Sequence, residues 1–168
     1  MEYLVIDGYN VINQWTDIFN LKKEPLEDCR DRLLNMLSNY QGYKSIGVIV
    51  VFDAYLQKLG QVKTQDFDKI RVVYTKEGET ADNFIERFVY LNGRSNLVKV
   101  VTSDFLEQII TMSSGGIRMS PRELRLEMQT DLKAASEIGY KQPIKGNTIM
   151  SKVAPDIFEK LDRIRKGK

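Results

Sequence analysis

The 168-residue sequence contains no histidine. This absence excludes serine–histidine–aspartate triads, cysteine–histidine pairs and zinc sites built on imidazole, and it leaves no side chain whose ordinary pKa lies near neutrality. Any hydrolytic chemistry in this protein therefore needs another group to activate its nucleophile.

Cysteine and long apolar runs are also scarce. Cys29 is the only cysteine, so a disulfide framework within the chain and a cysteine-rich zinc site are excluded. No apolar run approaches the ~20 residues of a bilayer span, and acidic Glu2 stands where a signal peptide has a basic start. We expect a cytoplasmic protein without a membrane partner. At this length it should form one compact domain with an appended helical tail.

Two phosphate-binding motifs are missing. Neither GxGxxG after the first apolar run nor GxxxxGK[ST] occurs anywhere in the sequence, so dinucleotide binding and P-loop nucleotide binding lack their glycine-rich loops. A phosphatase of the haloacid dehalogenase type would need DxD after its first strand, but Gly8 and Tyr9 follow Asp7. A small-molecule phosphatase remains as a weakened alternative.

Charge is unevenly distributed along the chain, although the net charge is only +2. From Lys141 to the end there are eight basic and three acidic residues, which leaves a mildly acidic body. A polyanion-binding protein with an acidic centre would show this pattern, and a solvated helix end is the alternative. We predict a domain at residues 1–137, followed by a linker and a basic C-terminal helix at residues 138–168.

Apolar runs alternate with amphipathic stretches along the body of the chain. The predicted strands are 3–7, 46–54, 70–75 and 97–104, and the predicted helices are 25–42, 81–91, one through Phe105 and Ile110, and one that begins at Pro121. Strands that alternate with helices form a parallel sheet with right-handed crossovers. The sequence therefore predicts an α/β fold of three layers, Rossmann-like, with a mostly parallel central sheet.

Acidic residues follow the predicted strands. Asp7, Asp53 and Asp104 lie at or just past strand ends, Asp82 lies in the first turn of a helix, and Glu79 lies in the loop before that helix. These positions share the carboxyl edge of the sheet, where ligands bind in such folds. Two carboxylates ~5 Å apart repel by roughly 3 kcal/mol, which a fold tolerates when a hard cation such as Mg²⁺ or Mn²⁺ binds between them. The alternative is that the acids cap separate helices.

Four motifs in order carry a family resemblance: VIDGYN with Asp7 and Asn10, VFDA with Asp53, ETADNFIER with Asp82, and TSDFLEQ with Asp104. Together they resemble the NYN domain, a branch of the PIN-like ribonucleases, and most of all its small bacterial YacP-like group. The resemblance covers about residues 3–137.

The resemblance implies a PIN-like sandwich whose acids hold Mg²⁺ or Mn²⁺ for RNA cleavage. It assigns Asp7, Asp82 and Asp104 to the acidic centre, and it makes Asn10 an amide that orients the first acid or a water. Asn83 stands where some relatives have a second acid, which departs from a full two-metal site. The group also implies an endonuclease that cuts mRNA on the translating ribosome.

Arginines near the last predicted helix of the domain suggest a nucleic-acid surface. Arg118, Arg122 and Arg125 suit phosphate contacts near a helix N-terminus, and pairing with nearby glutamates is the alternative. Tyr9 and Trp15 could stack on unpaired bases, with burial in the core as the alternative. We predict a metal-dependent endoribonuclease for single-stranded RNA; the main rival is an RNA- or ribosome-binding module with an idle acidic centre.

Overall fold

The computed structural model describes residues 1–53 and 63–137. Within these ranges there are six strands and five helices. In chain order they are β1 (Glu2–Asp7), α1 (Gly8–Gln14), α2 (Leu26–Lys44), β2 (Gly47–Phe52), β3 (Lys63–Phe67), β4 (Ile70–Tyr74), α3 (Ala81–Asn92), β5 (Leu97–Val101), α4 (Phe105–Ser113), β6 (Ile117–Met119) and α5 (Pro121–Glu137). The linker and basic helix predicted at residues 138–168 lie outside the described residues.

The six strands form one sheet in the order β3-β4-β2-β1-β5-β6. Every neighbouring pair is parallel except β3 and β4, which are antiparallel. β1 lies between β2 and β5, with Val5 opposite Ile49 on one side and Val100 on the other. The predicted α/β fold with a mostly parallel sheet is confirmed.

Helices cover both faces of the sheet. One buried cluster joins α1, α2 and α5 to one face and includes Leu33, Leu37 and Leu124. A second cluster joins α3 to the other face through Phe84 and Phe88. α4 lies beside α3 and β6. No helix in the described ranges is long and apolar enough to span a membrane.

Two strands and one helix have no counterpart in the sequence prediction. β3 lies at the sheet edge, and its sequence KTQDF is mostly polar and partly exposed, so no apolar run marks it. β6 has only three residues after a glycine turn. The short helix α1 begins directly after Asp7, because Gly8 has no Cβ to collide with the ring of Phe52.

Two predicted strands are shorter in the structure. β2 ends at Phe52 and β5 at Val101, so Asp53 and Asp104 lie in the loops beyond them. α2 continues through Gly42 to Lys44 and ends at Ser45, which adopts a left-handed conformation with φ of 53°.

The capping box predicted for α5 is present. Ser120 Oγ accepts a hydrogen bond from Glu123 N, and a carboxylate oxygen of Glu123 accepts one from Ser120 N, both at 3.1 Å. Leu124 and Met128 are buried as predicted. Leu132, which the same periodicity placed in the core, is 37% exposed, because it lies beyond the part of α5 that packs on the sheet.

Candidate active site

Two acids at the carboxyl edge of the sheet are helix caps. Asp7 ends β1 and caps α1, accepting a hydrogen bond from Asn10 N at 3.4 Å. Asp104 caps α4 and accepts from Glu107 N at 3.1 Å. For Asp82 the local role differs, since Thr80 caps α3 and leaves Asp82 in the first turn. The capping alternative thus holds for Asp7 and Asp104, but a capping carboxylate can also face a ligand.

Three carboxylates converge at this edge. Asp7, Asp82 and Glu107 each offer an oxygen, and these oxygens lie within 4.8 Å of one another. They come from β1, α3 and α4, so three separate elements build the cluster. Asp104 is exposed and lies on the rim, where it lines the same groove as Asp82 and Glu107. We call Asp7, Asp82 and Glu107 the carboxylate cluster.

Glu107 is the cluster member that the sequence reasoning missed. It lies three residues after the N-cap Asp104, and helical side chains lean toward the N-terminus of their helix. A glutamate one turn into α4 therefore reaches back to the carboxyl edge of the sheet. The signal was present in the motif TSDFLEQ, where Glu107 follows two apolar residues in a helix that is otherwise poor in charge.

Burial and the neighbouring carboxylate disfavour the ionised forms of Asp7 and Glu107. Burial, and then the Asp82 carboxylate, raise the pKa of Asp7 to about 7. The same two causes raise the pKa of Glu107 to about 9. Glu107 is only 4% exposed, and neither of its oxygens has a hydrogen-bond partner within the described residues. Such a group needs either a proton or a cation.

The side chain of Asn10 links the start of α1 to the loop between β5 and α4. Its Nδ2 donates to Ser103 Oγ at 2.7 Å, and Ser103 N donates to its Oδ1 at 2.9 Å. The backbone N–H of Asn10 contacts Asp7, while its side chain holds the loop between β5 and α4. Asn10 is therefore placed to orient this loop, and through it Asp104 and Glu107.

The two additional acids lie outside the carboxylate cluster. Asp53 follows β2, and its charge is near enough to contribute to the raised pKa of Asp7, after burial and Asp82. Glu79 is buried in the loop before α3 and forms an ion pair with Arg87 of that helix. The structure thus places Glu79 as a partner of an arginine.

The three arginines have different surroundings. Arg118 lies 3.8 Å from Glu123, and Arg125 pairs with Asp17 while its guanidinium lies 5.9 Å from the centre of the Trp15 ring. Arg122 is exposed at the start of α5. Arg125 therefore has a structural partner, whereas Arg118 and Arg122 are both exposed.

The start of α5 adjoins the carboxyl edge of the sheet. Thr102 N donates to Met119 O at 3.0 Å, which joins the end of β6 to the loop that carries Asp104. Arg118 and Arg122 thus flank the edge that holds the carboxylate cluster.

Tyr9 and Trp15 are core residues, which corrects the prediction that Tyr9 stacks on RNA. The centre of the Tyr9 ring lies 4.9 Å from the centre of the Phe52 ring. The Tyr9 hydroxyl accepts a hydrogen bond from Arg30 at 3.1 Å, and the residue is only 9% exposed. Trp15 is buried and donates from Nε1 to the carbonyl of Pro121 at 2.9 Å. Neither ring has an open face for a base.

Comparisons with known proteins agree with this architecture. A model of the YacP-like NYN domain family matches residues 4–166. The chain is 42% identical over 131 residues to the uncharacterized protein YacP of Bacillus subtilis strain 168. The matched region covers 77% of this chain and 76% of that protein.

Solved structures give the same result. The crystal structure of Rae1 (YacP) from Bacillus subtilis matches with a TM-score of 0.68 at 32% identity, covering 99% of this chain and 96% of that chain. A variant of the same protein with one tryptophan replaced by leucine also gives 0.68, at 31% identity and with the same coverage. The family resemblance read from the four motifs is confirmed, and the chain belongs to the YacP-like NYN domain family, a PIN-like nuclease family.

Proposed function

We propose that this protein is a metal-dependent endoribonuclease that cleaves single-stranded RNA. The observation that carries the proposal is the carboxylate cluster at the carboxyl edge of the sheet, in a member of a nuclease family. The absence of histidine agrees with it, since the chain has no imidazole to act as a general base.

The chemistry of the carboxylate cluster fits a hard divalent cation. All its donor atoms are carboxylate oxygens, which suit Mg²⁺ or Mn²⁺. Without a cation, burial and then the Asp82 carboxylate raise the pKa of both Asp7 and Glu107, and a bound cation would favour their ionised forms. A bound cation would orient an attacking water and stabilise the charge that develops on the phosphate.

Each of the polar side chains at this edge of the sheet then has a role. Asp7, Asp82 and Glu107 hold the cation. Asp104 presents an exposed carboxylate on the rim, where it can contact water or a second ion, and it fixes the start of α4. Asn10 keeps the loop before α4 in place through Ser103. Asp53 adds negative charge nearby.

RNA would reach the carboxylate cluster past basic residues at the same edge. Arg118 and Arg122 flank the edge and suit phosphate contacts, while the charge of Arg125 is balanced by its pair with Asp17. The excess of lysine and arginine after Lys141 adds further positive charge. The likeness to the YacP-like group favours mRNA on the translating ribosome as the substrate and a cytoplasmic location.

The substitution Asp7→Asn tests the proposal. Asparagine caps helices about as well as aspartate, so the change removes a charge and keeps the cap. We expect cleavage of single-stranded RNA in Mg²⁺ to fall at least roughly a hundredfold, while RNA binding measured in EDTA stays unchanged. Asp28→Asn is the matched control, because Asp28 is an exposed acid in the first turn of α2.

Other outcomes would point to other functions. Cleavage by Asp7→Asn at the wild-type rate would contradict the proposal. A wild-type protein that binds RNA and never cuts it, with Mg²⁺ or with Mn²⁺ and with ribosomes present, would be an RNA- or ribosome-binding module. Hydrolysis of small phosphate esters without cleavage of RNA would indicate a phosphatase.

A further inference from the structure

A groove between α3 and α4 leads away from the carboxylate cluster. Its first part has a volume of about 190 Å³ and contains Asp82 and Glu107, with Leu106 and Ile110 as an apolar wall. A second part of about 380 Å³ adjoins it, lined by Asn83, Glu86, Arg87, Tyr90 and Ser114. Asn83 and Glu86 line both parts, so the two lie side by side along α3. We call the whole the α3–α4 groove.

The far end of the α3–α4 groove has an aromatic side chain that is exposed to solvent. Tyr90 is 75% exposed, although it lies on the same helix as the buried Phe84 and Phe88. Asp82, Glu86 and Tyr90 follow at four-residue spacing and therefore share one face of α3. Eight residues of helix separate Asp82 from Tyr90 by about 12 Å. The exposed ring thus lies two helical turns from the carboxylate cluster, along one open path.

An arginine side chain lies between the two ends. Arg87 lines the second part of the groove, and its side chain is 41% exposed. Its guanidinium pairs with Glu79, which is buried in the loop before α3, so the arginine is held in place on its inner side. A guanidinium fixed in this way loses less entropy when it binds an anion such as a phosphate.

We propose that the α3–α4 groove binds the single-stranded RNA on one side of the cleaved bond, with Tyr90 stacking on an unpaired base and Arg87 contacting the backbone. The assignment rests on the proposed function, since it takes the carboxylate cluster as the point of cleavage. Base stacking needs no particular sequence, because every base has a flat face. Tyr90 would then supply the aromatic platform that the buried Tyr9 cannot.

Continuity with the carboxylate cluster favours RNA over a protein partner as the occupant. The α3–α4 groove begins at the acids that would hold the cation, and its far part is lined by polar side chains, Glu86, Arg87 and the aromatic ring of Tyr90. A strand that lies in it places its backbone over the cluster and its bases toward that ring. A ring on which bases can stack is one of the features of proteins that bind single-stranded RNA.

Binding of a fluorescein-labelled uridine decamer in EDTA tests this assignment without cleavage. We expect Tyr90→Ala to raise the Kd roughly tenfold, within the range of base–aromatic stacking, and Tyr90→Phe to leave it unchanged because the ring is kept. The matched control is Tyr43→Ala. Tyr43 is an exposed tyrosine on α2, which packs on the opposite face of the sheet.

A spectroscopic readout shows whether the base contacts this position. The single native tryptophan, Trp15, is buried, so a tryptophan placed at position 90 would report separately from it. We expect the decamer to quench the added fluorescence of Tyr90→Trp and to leave that of Tyr43→Trp unchanged. Quenching at neither position would overturn the assignment.

The outcomes separate this assignment from the proposed function. If the wild-type protein cleaves RNA and Tyr90→Ala binds the decamer as the wild type does, the groove assignment fails alone. If Tyr90→Ala loses binding and the wild-type protein never cleaves RNA, the nuclease proposal fails and the groove remains an RNA-binding surface with no cleaved bond beside it. If Tyr90→Ala binds the decamer normally and loses cleavage only when ribosomes are present, the groove contacts a protein and the RNA assignment is overturned.

Discussion

Asn10 and Ser103 form two hydrogen bonds with each other across the carboxyl edge of the sheet, at 2.7 and 2.9 Å, although 93 positions separate them in the chain. This pair joins the start of α1, where Asp7 lies, to the loop that leads to α4, where Glu107 lies. The distance between two like charges in the carboxylate cluster therefore depends on an uncharged amide.

Removal of this amide should reduce activity more than stability. Asn10→Ala removes both hydrogen bonds, so we expect the free energy of unfolding to fall by about 1–2 kcal/mol and single-turnover cleavage to fall further than the folded fraction explains. Ser103→Ala keeps the backbone N–H that donates to Asn10 and should show a smaller loss in both. Urea denaturation and RNA cleavage at saturating Mg²⁺ measure the two effects. Equal losses in the two variants would mean that the hydrogen bond from Ser103 N to Asn10 Oδ1 contributes neither to stability nor to cleavage.

The raised pKa values of Asp7, about 7, and Glu107, about 9, predict an unusual dependence of stability on pH. The unfolded chain releases the same two protons near pH 4. Between these values the folded protein holds protons that the unfolded chain has lost, so the free energy of unfolding falls as pH rises. In EDTA we expect the free energy of unfolding to decrease between pH 5 and pH 8, by roughly 1 kcal/mol per pH unit.

Variants of the carboxylate cluster show whether it causes this slope. Glu107→Gln should flatten it, and saturating Mg²⁺ or Mn²⁺ should reduce it, because a cation binds the ionised carboxylates. Asp82→Asn should leave the metal-free protein at pH 8 equally stable, or more stable by ~1 kcal/mol, since it removes a carboxylate that lies beside Asp7. Glu86→Gln, an exposed acid on the same helix, is the control. A clear loss of stability for Asp82→Asn in EDTA would favour a structural role for Asp82.

Much of the fold follows from short patterns in the sequence. The apolar runs of β1, β2, β4 and β5 are long enough to mark buried parallel strands, and the order of strands and helices determines the α/β class. Because parallel strands place their carboxyl ends at one edge, the sequence also locates the edge where Asp7 and Asp82 lie. β3 could not be found in this way, since an exposed edge strand carries no apolar run.

The remaining errors concern where a side chain points. Periodicity shows that Asp104 and Glu107 share the start of a helix, but only the packing of α4 beside α3 brings Glu107 to Asp82. Tyr9 lies two residues after Asp7, at the edge where ligands bind, yet its ring packs inward against Phe52. Tyr90 has the reverse arrangement, since it lies on the helix that buries Phe84 and Phe88 and yet is exposed on the face of Asp82 and Glu86.

The roles of Glu107 and Asp104 can be separated by two substitutions that conserve shape. Glu107→Gln removes a charge from the carboxylate cluster, whereas Asp104→Asn removes one from the rim and keeps the cap of α4. Loss of an outer partner of a metal ligand typically weakens metal binding 10–100-fold, so loss of a ligand should cost roughly tenfold or more. We therefore expect Glu107→Gln to weaken Mn²⁺ binding by at least this factor in calorimetric titration and to reduce RNA cleavage in proportion. Asp104→Asn should bind Mn²⁺ almost as tightly as the wild type. If Asp104→Asn loses Mn²⁺ and Glu107→Gln retains it, the third ligand is the rim residue that the sequence motif first indicated.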